Sequence, residues 1–300
     1  MRLSTLSIFL LFSPLLVRFC SANLENGTEE DAQEEFVGAE HWIAEHREMC
    51  DGEDSLWKLR GAVCLTYISH FQEVRMEVLS WKPALVIYRN LFTPKQVDDY
   101  LWLMEQKSFE EQQVIDDDGN SLSLKYRRAN GTYLAENEHP ISDGIMQTVR
   151  SSIPPIDFRA SEHITAISYH PGGHYAVHND FLSYTNEESW DDWMQEFGNR
   201  FATLIMVFKP ADVGGATVFP QLAATLKPNA GDAFLWFNTN TDLEMEELTE
   251  HAGCPVYAGQ KVISTIWIRM KHQEKYQPIL ENNLYAGSIH MKSLIPNKYI

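Results

Sequence analysis

The sequence predicts an α+β chain, mainly β, with its helices gathered ahead of its strands. Three observations lead there. From residue 164 to residue 270, short apolar runs with period-two alternation follow one another, punctuated by Pro, Gly and Asn. The helix signals, Thr93-Pro94 and Pro140, lie upstream of those runs. A chain of 300 residues, less an N-terminal leader, is the length of one barrel with flanking helices.

The elements follow in chain order. Residues 1–22 carry Arg2, an apolar run from Leu6 to Val17, and the small residues Cys20-Ser21-Ala22, which together predict a secretory leader. That run is short for a bilayer and no other segment reads as transmembrane, so no membrane association is expected. Residues 23–80 form an acidic N-terminal extension. Between Glu25 and Asp54 stand 12 acidic residues against one basic, Arg47, more than half of the chain's net charge of -18. The first part, ENGTEEDAQEE, reads as a solvated arm, and residues 36–49 as a helix. No basic patch is visible, which argues against a nucleic-acid partner.

The main domain is expected over residues 81–275, with a tail from 276 to 300. Thr93-Pro94-Lys95-Gln96 predicts a helix start, with Thr93 as N-cap and Gln96 closing a capping box, and the helix runs to about Lys107. The acidic turn at 116–120 resembles a calcium loop but lacks a following glutamate at the required spacing, so it predicts a hairpin between FEEQQVI and SLSLKY. A second helix is expected over 140–151, and strands thereafter, as in a double-stranded β-helix packed on helices.

Chemistry concentrates in His178-Asn179-Asp180, His251 and Lys261. Two imidazoles and a carboxylate hold one face of a ferrous ion and leave positions for an organic acid and dioxygen. With 11 His in the chain, roughly one His-x-Asp triplet arises by chance, so the triplet alone says little. Its company says more. HITAISYHPGGHYAVHND reads as strand, tight turn and strand, and alternation turns His178 and Asp180 to one side with Asn179 away. HAGCPVYAGQKVISTIWIR reads as a further strand-like stretch. On it Lys261, Ile263, Thr265 and Trp267 share the inward parity, and a buried lysine calls for an anion such as a dicarboxylate.

The stretch resembles the catalytic domain of the prolyl 4-hydroxylases, the collagen-type and related enzymes. The motifs that carry the resemblance are YHPGGHYAVHND, NRFATLIMVF, GGATVFP, LKPNAGDAFLWFN and HAGCPVYAGQKVISTIW. A weaker likeness covers EMCDGEDSLWKLRGAVCLTY and LSWKPALVIYRNLFTPKQVDDYL upstream. The resemblance implies a double-stranded β-helix, or jelly roll, in which 81–275 is an Fe(II)/2-oxoglutarate dioxygenase domain. It implies His178, Asp180 and His251 as iron ligands and Lys261 as anchor of the distal carboxylate of 2-oxoglutarate, beside Tyr169 and Thr217. Tyr175, Arg200 and Trp267 match positions lining the active site or peptide groove. The cofactors implied are Fe(II), 2-oxoglutarate, O2 and L-ascorbate.

Two departures qualify the match. Arg269 stands where the prolyl enzymes carry a histidine near 2-oxoglutarate, a position at which the chain resembles lysyl hydroxylases; an arginine fork there still binds carboxylates. Ala176-Val177 replaces the Glu-Pro that commonly precedes the His-x-Asp. The expected activity is hydroxylation of peptidyl proline in collagen-like or other proline-rich chains. Hydroxylation of lysine, or a non-catalytic binding module on the same barrel, are the alternatives. The expected location is the endoplasmic reticulum lumen or the exterior, with protein disulfide isomerase as a possible partner. The resemblance favours a Cys50 to Cys64 bridge and leaves Cys254 over. Asn26 and Asn130 lie in glycosylation sequons, Asn130 in a loop that in the relatives closes over the peptide. Two acidic segments, EESWDDWMQE and DLEMEELTE, are expected at the entrance, where they would favour basic peptides.

Overall fold

The computed structural model describes residues 16–19, 36–55, 63–112, 114, 115, 121, 122, 125–184, 186–273, 289 and 294. Most of the expected leader, the acidic arm through residue 35 with Asn26, the 116–120 turn and most of the tail lie outside these residues. The strands are β1 (Leu16–Phe19), β2 (Val63–Ser69), β3 (Gln72–Trp81), β4 (Ala84–Arg89), β5 (Glu110–Glu111), β6 (Val114–Ile115), β7 (Ser121–Leu122), β8 (Arg127–Arg128), β9 (Asn130–Leu134) and β10 (Ile164–Tyr169). They continue with β11 (His174–His178), β12 (Arg200–Lys209), β13 (Val213–Gly214), β14 (Thr217–Phe219), β15 (Ala224–Leu226), β16 (Ala233–Phe237), β17 (His251–Gly253), β18 (Val256–Ala258) and β19 (Lys261–Arg269). Helices α1 (Ala44–Asp51), α2 (Pro94–Glu105), α3 (Pro140–Ser152) and α4 (Asp192–Phe197) accompany them.

Two antiparallel sheets face each other as a double-stranded β-helix. The larger runs β1-β2-β3-β4-β16-β12-β19-β10-β9-β5 and the smaller β15-β14-β17-β11-β8. Alternation explains how the larger sheet serves two cores at once. On β12, Ala202, Leu204, Met206 and Phe208 turn outward to Tyr100, Leu103, Ile145 and Val149 of α2 and α3. Ile205 and Val207 turn inward and meet Phe219, Ala224 and Leu226 of the smaller sheet, with Trp236 and Ile263 beside them. Each such large apolar side chain contributes roughly 1.5–3 kcal/mol by leaving water. The inward parity expected for β19 holds, since Tyr100 bonds its outward Ser264 at 2.7 Å while Ile263 joins the inner core.

Local chemistry sets the helix ends as the sequence indicates. Thr93 Oγ1 accepts from Gln96 N at 3.3 Å while Gln96 Oε1 accepts from Thr93 N at 3.0 Å, a closed capping box. Helix α3 begins at Pro140, and β6 pairs with β7 as the expected hairpin. The expected helix at 36–49 is shorter, a single turn at Ala39–His41 followed by α1.

Three features differ from expectation. The hairpin β2–β3, placed by sequence in the extension, pairs directly with β4 and continues the larger sheet. The strand-like stretch from His251 breaks into β17, β18 and β19 at Pro255 and at Gly259, whose positive φ of 77° suits glycine. Cys50 bonds Cys254 rather than Cys64, and Cys64 is disulfide-bonded too. The cause is packing: α1 lies on the outer face of the smaller sheet, where Trp42 and Cys50 join Ala176, Val218, Ala252 and Cys254. Asn130 opens β9 with an exposed side chain between β10 and β5, in a strand rather than a loop.

Candidate active site

Strand pairing builds a candidate metal site. His178 ends β11 and His251 opens β17, and the two residues are direct register partners, which brings their rings to 4.3 Å between centroids. Asp180 follows two residues after His178 and meets both. His178 Nε2 lies 3.8 Å from Asp180 Oδ1, and His251 Nε2 lies 3.6 Å from Asp180 Oδ2. One donor atom from each of the three residues falls within a 4.8 Å cluster.

Backbone carbonyls fix the tautomers. Ala176 O accepts from His178 Nδ1 at 2.8 Å and Thr249 O accepts from His251 Nδ1 at 3.0 Å, so each Nδ1 carries the hydrogen and each Nε2 lone pair is free for a metal. Burial, reinforced by facing His251, pushes His178 down to about 3, so its ring is neutral and ready to ligate. Burial alone would raise Asp180, but His251, His178 and Arg200 together outweigh it and hold the carboxyl below its usual range. Two oriented imidazoles with one carboxylate fit the donor set of ferrous iron.

Lys261, Tyr169, Thr217, Tyr175 and Trp267 line the same cavity as the three donors, walled by Ile167, Ile205 and Ile263. Lys261 is only 6% exposed, and among the described residues it has no carboxylate partner; its ammonium lies 5.6 Å from the Tyr169 ring centroid. Burial lowers it to about 8. Gly215, at φ 68°, lets the chain pass close by, since a Cβ there would come within 3.3 Å of Lys261 Cδ. The Tyr175 ring stacks on His178 at 3.5 Å between centroids, and burial pushes its phenol up to about 12, so it stays protonated.

Arg200 and Arg269 occupy another place. Arg200 stacks at 3.9 Å over Trp267 and donates from Nε and one terminal nitrogen to Glu162 at 2.7 and 2.9 Å. Arg269, expected beside the cosubstrate, does not line the cavity. It donates to the same Glu162 at 2.7 Å and to Gly198 O at 2.9 Å. Lys261 and Arg269 share a parity, but eight residues of strand separate them by roughly 26 Å, beyond the reach of one small dicarboxylate.

Arg127 was absent from the sequence reading and lines the cavity, 7% exposed, with its guanidinium 4.6 Å from the Tyr175 ring centroid and its Nε unpaired. The signal was the pair Arg127-Arg128, of which strand alternation buries one and exposes the other. Of the two acidic segments, the second contributes Met245, Glu247, Leu248 and Glu250 to a cleft with Asn179, next to the ligands. The first forms a turn and α4, with exposed carboxylates.

Residues 164–269 match the family described as the 2OG-Fe(II) oxygenase superfamily. That span holds every residue of the triad and Lys261. Among curated proteins, the chain is 28% identical over 205 residues to prolyl 4-hydroxylase subunit alpha-2 of Caenorhabditis elegans, covering 68% of this chain and 38% of that one. It is 30% identical over 160 residues to the human subunit alpha-1, covering 53% of this chain and 29% of the relative. The chain thus spans less than two fifths of the length of these relatives. Among solved structures, a viral collagen prolyl hydroxylase from Paramecium Bursaria Chlorella virus-1 aligns with 24% identity and a TM-score of 0.48, over 62% of this chain and 95% of that one. The expected likeness to prolyl 4-hydroxylases is borne out.

Proposed function

We propose that the chain is an Fe(II)- and 2-oxoglutarate-dependent dioxygenase that hydroxylates peptidyl proline in proline-rich, collagen-like chains. One observation carries the proposal: a convergent His178, Asp180 and His251 shares a cavity with the buried ammonium of Lys261, which has no carboxylate partner among the described residues. The similarity to prolyl 4-hydroxylase subunits supports the reaction class.

In this reading His178, Asp180 and His251 hold the iron. Lys261 pairs with the distal carboxylate of 2-oxoglutarate, with Tyr169 and Thr217 lining the same end of the cavity. Iron and cosubstrate, when bound, supply the oxidative decarboxylation to succinate that is coupled to insertion of one oxygen atom into the substrate C–H. The apolar walls, Ile167, Ile205 and Ile263, exclude water and strengthen the pairing at Lys261. Tyr175, Trp267 and Arg127 form the side that a peptide would approach, while Arg200, paired with Glu162, backs Trp267 from behind.

The secretory leader, ascorbate as reductant for the iron, glycosylation at Asn26 and Asn130, residence in the endoplasmic reticulum lumen or export, and assembly with protein disulfide isomerase belong to the same proposal. Among the described residues no helix is long and apolar enough to cross a membrane. Hydroxylation of lysine is the second reading, favoured by the carboxylates of Glu247 and Glu250 beside the ligands. A panel of proline-rich and lysine-containing peptides, with ferrous iron, ascorbate and 2-oxoglutarate, decides by mass spectrometry of the peptide. Gain of one oxygen atom on proline supports the first reading, gain on lysine the second, and no modified peptide with any member overturns both.

A further inference from the structure

Asp180 has two oxygens and a metal site of this kind needs one of them. Its Oδ2 accepts from Thr203 Oγ1 at 2.8 Å, and Thr203 Oγ1 in turn accepts from Asn238 Nδ2 at 2.9 Å. All three side chains are buried: Thr203 is wholly shielded, Asn238 2% and Asp180 7% exposed. An amide nitrogen can only donate, so Thr203 must accept from Asn238, and its single hydroxyl proton is then committed to Asp180. The polarity of the chain of bonds is therefore fixed from Asn238 outward.

Topology gives this relay its position. Thr203 is an inward residue of β12, paired in register with Trp236 of β16, and Asn238 follows directly after β16. The same strand end organises the other side of the site. Thr249 Oγ1 shares its one proton between Phe237 O at 3.0 Å and Glu246 O at 2.9 Å, and Thr249 O is the carbonyl that orients His251. The end of β16 thus steers a carboxylate ligand through one set of bonds and an imidazole ligand through another.

We infer that Thr203 and Asn238 are positioning residues for the metal centre: they hold Asp180 in one orientation and occupy Oδ2, so that Oδ1 is the oxygen presented to the ion. An oxygen that already accepts a hydroxyl proton is the weaker donor, and a carboxylate ligated through one oxygen leaves more of the coordination sphere to cosubstrate and dioxygen. The inference rests on the reading of His178, Asp180 and His251 as a metal site.

The test is a Co(II) titration of the full chain followed by visible absorption, whose band positions and intensities report ligand number and geometry without turnover. Four proteins are compared: wild type, Thr203→Ser, Thr203→Val and Asn238→Asp. Thr203→Ser keeps the hydroxyl and is expected to match wild type in affinity and spectrum. Thr203→Val keeps the shape but loses the proton, and is expected to weaken binding roughly 10- to 100-fold with an altered spectrum. Asn238→Asp replaces a donor with an acceptor, draws the hydroxyl proton away from Asp180, and is expected to weaken binding at least as much. Should Asn238→Asp fail to fold, the Ser and Val pair at 203 decides alone. Equal affinity and spectrum in Thr203→Val and Thr203→Ser overturns the inference. Failure of wild type to bind Co(II) instead overturns the metal reading on which it rests.

Discussion

Two buried groups of charge sit at opposite ends of β19, and they are built on opposite principles. At the Arg269 end, one carboxylate, Glu162, receives both Arg200 and Arg269, and every charge has a protein partner at 2.7–2.9 Å. At the Lys261 end, an ammonium that is 6% exposed and the buried Arg127 line a cavity whose one carboxylate among the lining residues, Asp180, is already turned to two imidazoles. Burying a charge without a partner costs free energy that a purely structural site has no reason to keep. The paired group reads as architecture, and the unpaired one as a site completed by an anion and a metal.

Substitutions separate the two groups by sign. The largest effect is expected at the ligands: His178→Ala or Asp180→Ala abolishes succinate formation and metal binding while leaving the protein folded. Next, Glu162→Gln leaves two arginines short of a negative charge and is expected to lower stability by about 3 kcal/mol, read by denaturant unfolding. Lys261→Met is expected to act the other way, raising the stability of the ligand-free protein by about 1 kcal/mol because an unpaired buried charge is removed. Equal destabilisation by both substitutions would break the comparison. The same Lys261→Met should raise KM for 2-oxoglutarate roughly 10- to 100-fold, the range of a charge-assisted hydrogen bond.

A pH titration sharpens the point. Burial holds Lys261 at about 8 in the open cavity, and a bound carboxylate raises it, so the complex retains its proton where the free site loses it. Affinity for 2-oxoglutarate is then full below pH 8 and declines as pH rises above it. An affinity unchanged between pH 7 and 9.5 would count against Lys261 as the anchor.

The triad and Lys261 were legible in the sequence because each rests on local rules: the His-x-Asp spacing for His178 and Asp180, although β11 ends at His178 and Asp180 lies just past it, and alternation for Lys261. Register did the rest, since His178 and His251 face each other across β11 and β17. What escaped the sequence depends on distances between elements. Arg269 is placed near the cosubstrate only by the resemblance; its eight-residue spacing from Lys261 on β19 already sets the two far apart, and its pairing with Glu162 is what the fold adds. The resemblance pairs Cys50 with Cys64, whereas α1 packs on β14 and β15 and carries Cys50 to Cys254, three residues after His251. Thr203 and Asn238 are ordinary strand residues by composition, and only a three-atom chain of hydrogen bonds reveals their direction. The disulfide offers a small-scale check on that placement. Cys254→Ser is expected to cost roughly 2–5 kcal/mol of stability, in keeping with the 204 residues between its cysteines.

The most direct test is calorimetric titration of 2-oxoglutarate into Mn(II)-loaded protein, comparing wild type with Lys261→Met and Arg269→Met, each normalised to its folded fraction. The expected result is binding to wild type and to Arg269→Met with similar affinity, and binding to Lys261→Met weakened roughly 10- to 100-fold. Binding that is undiminished in Lys261→Met and fails in Arg269→Met would contradict the assignment of the unpaired end of β19 as the cosubstrate site.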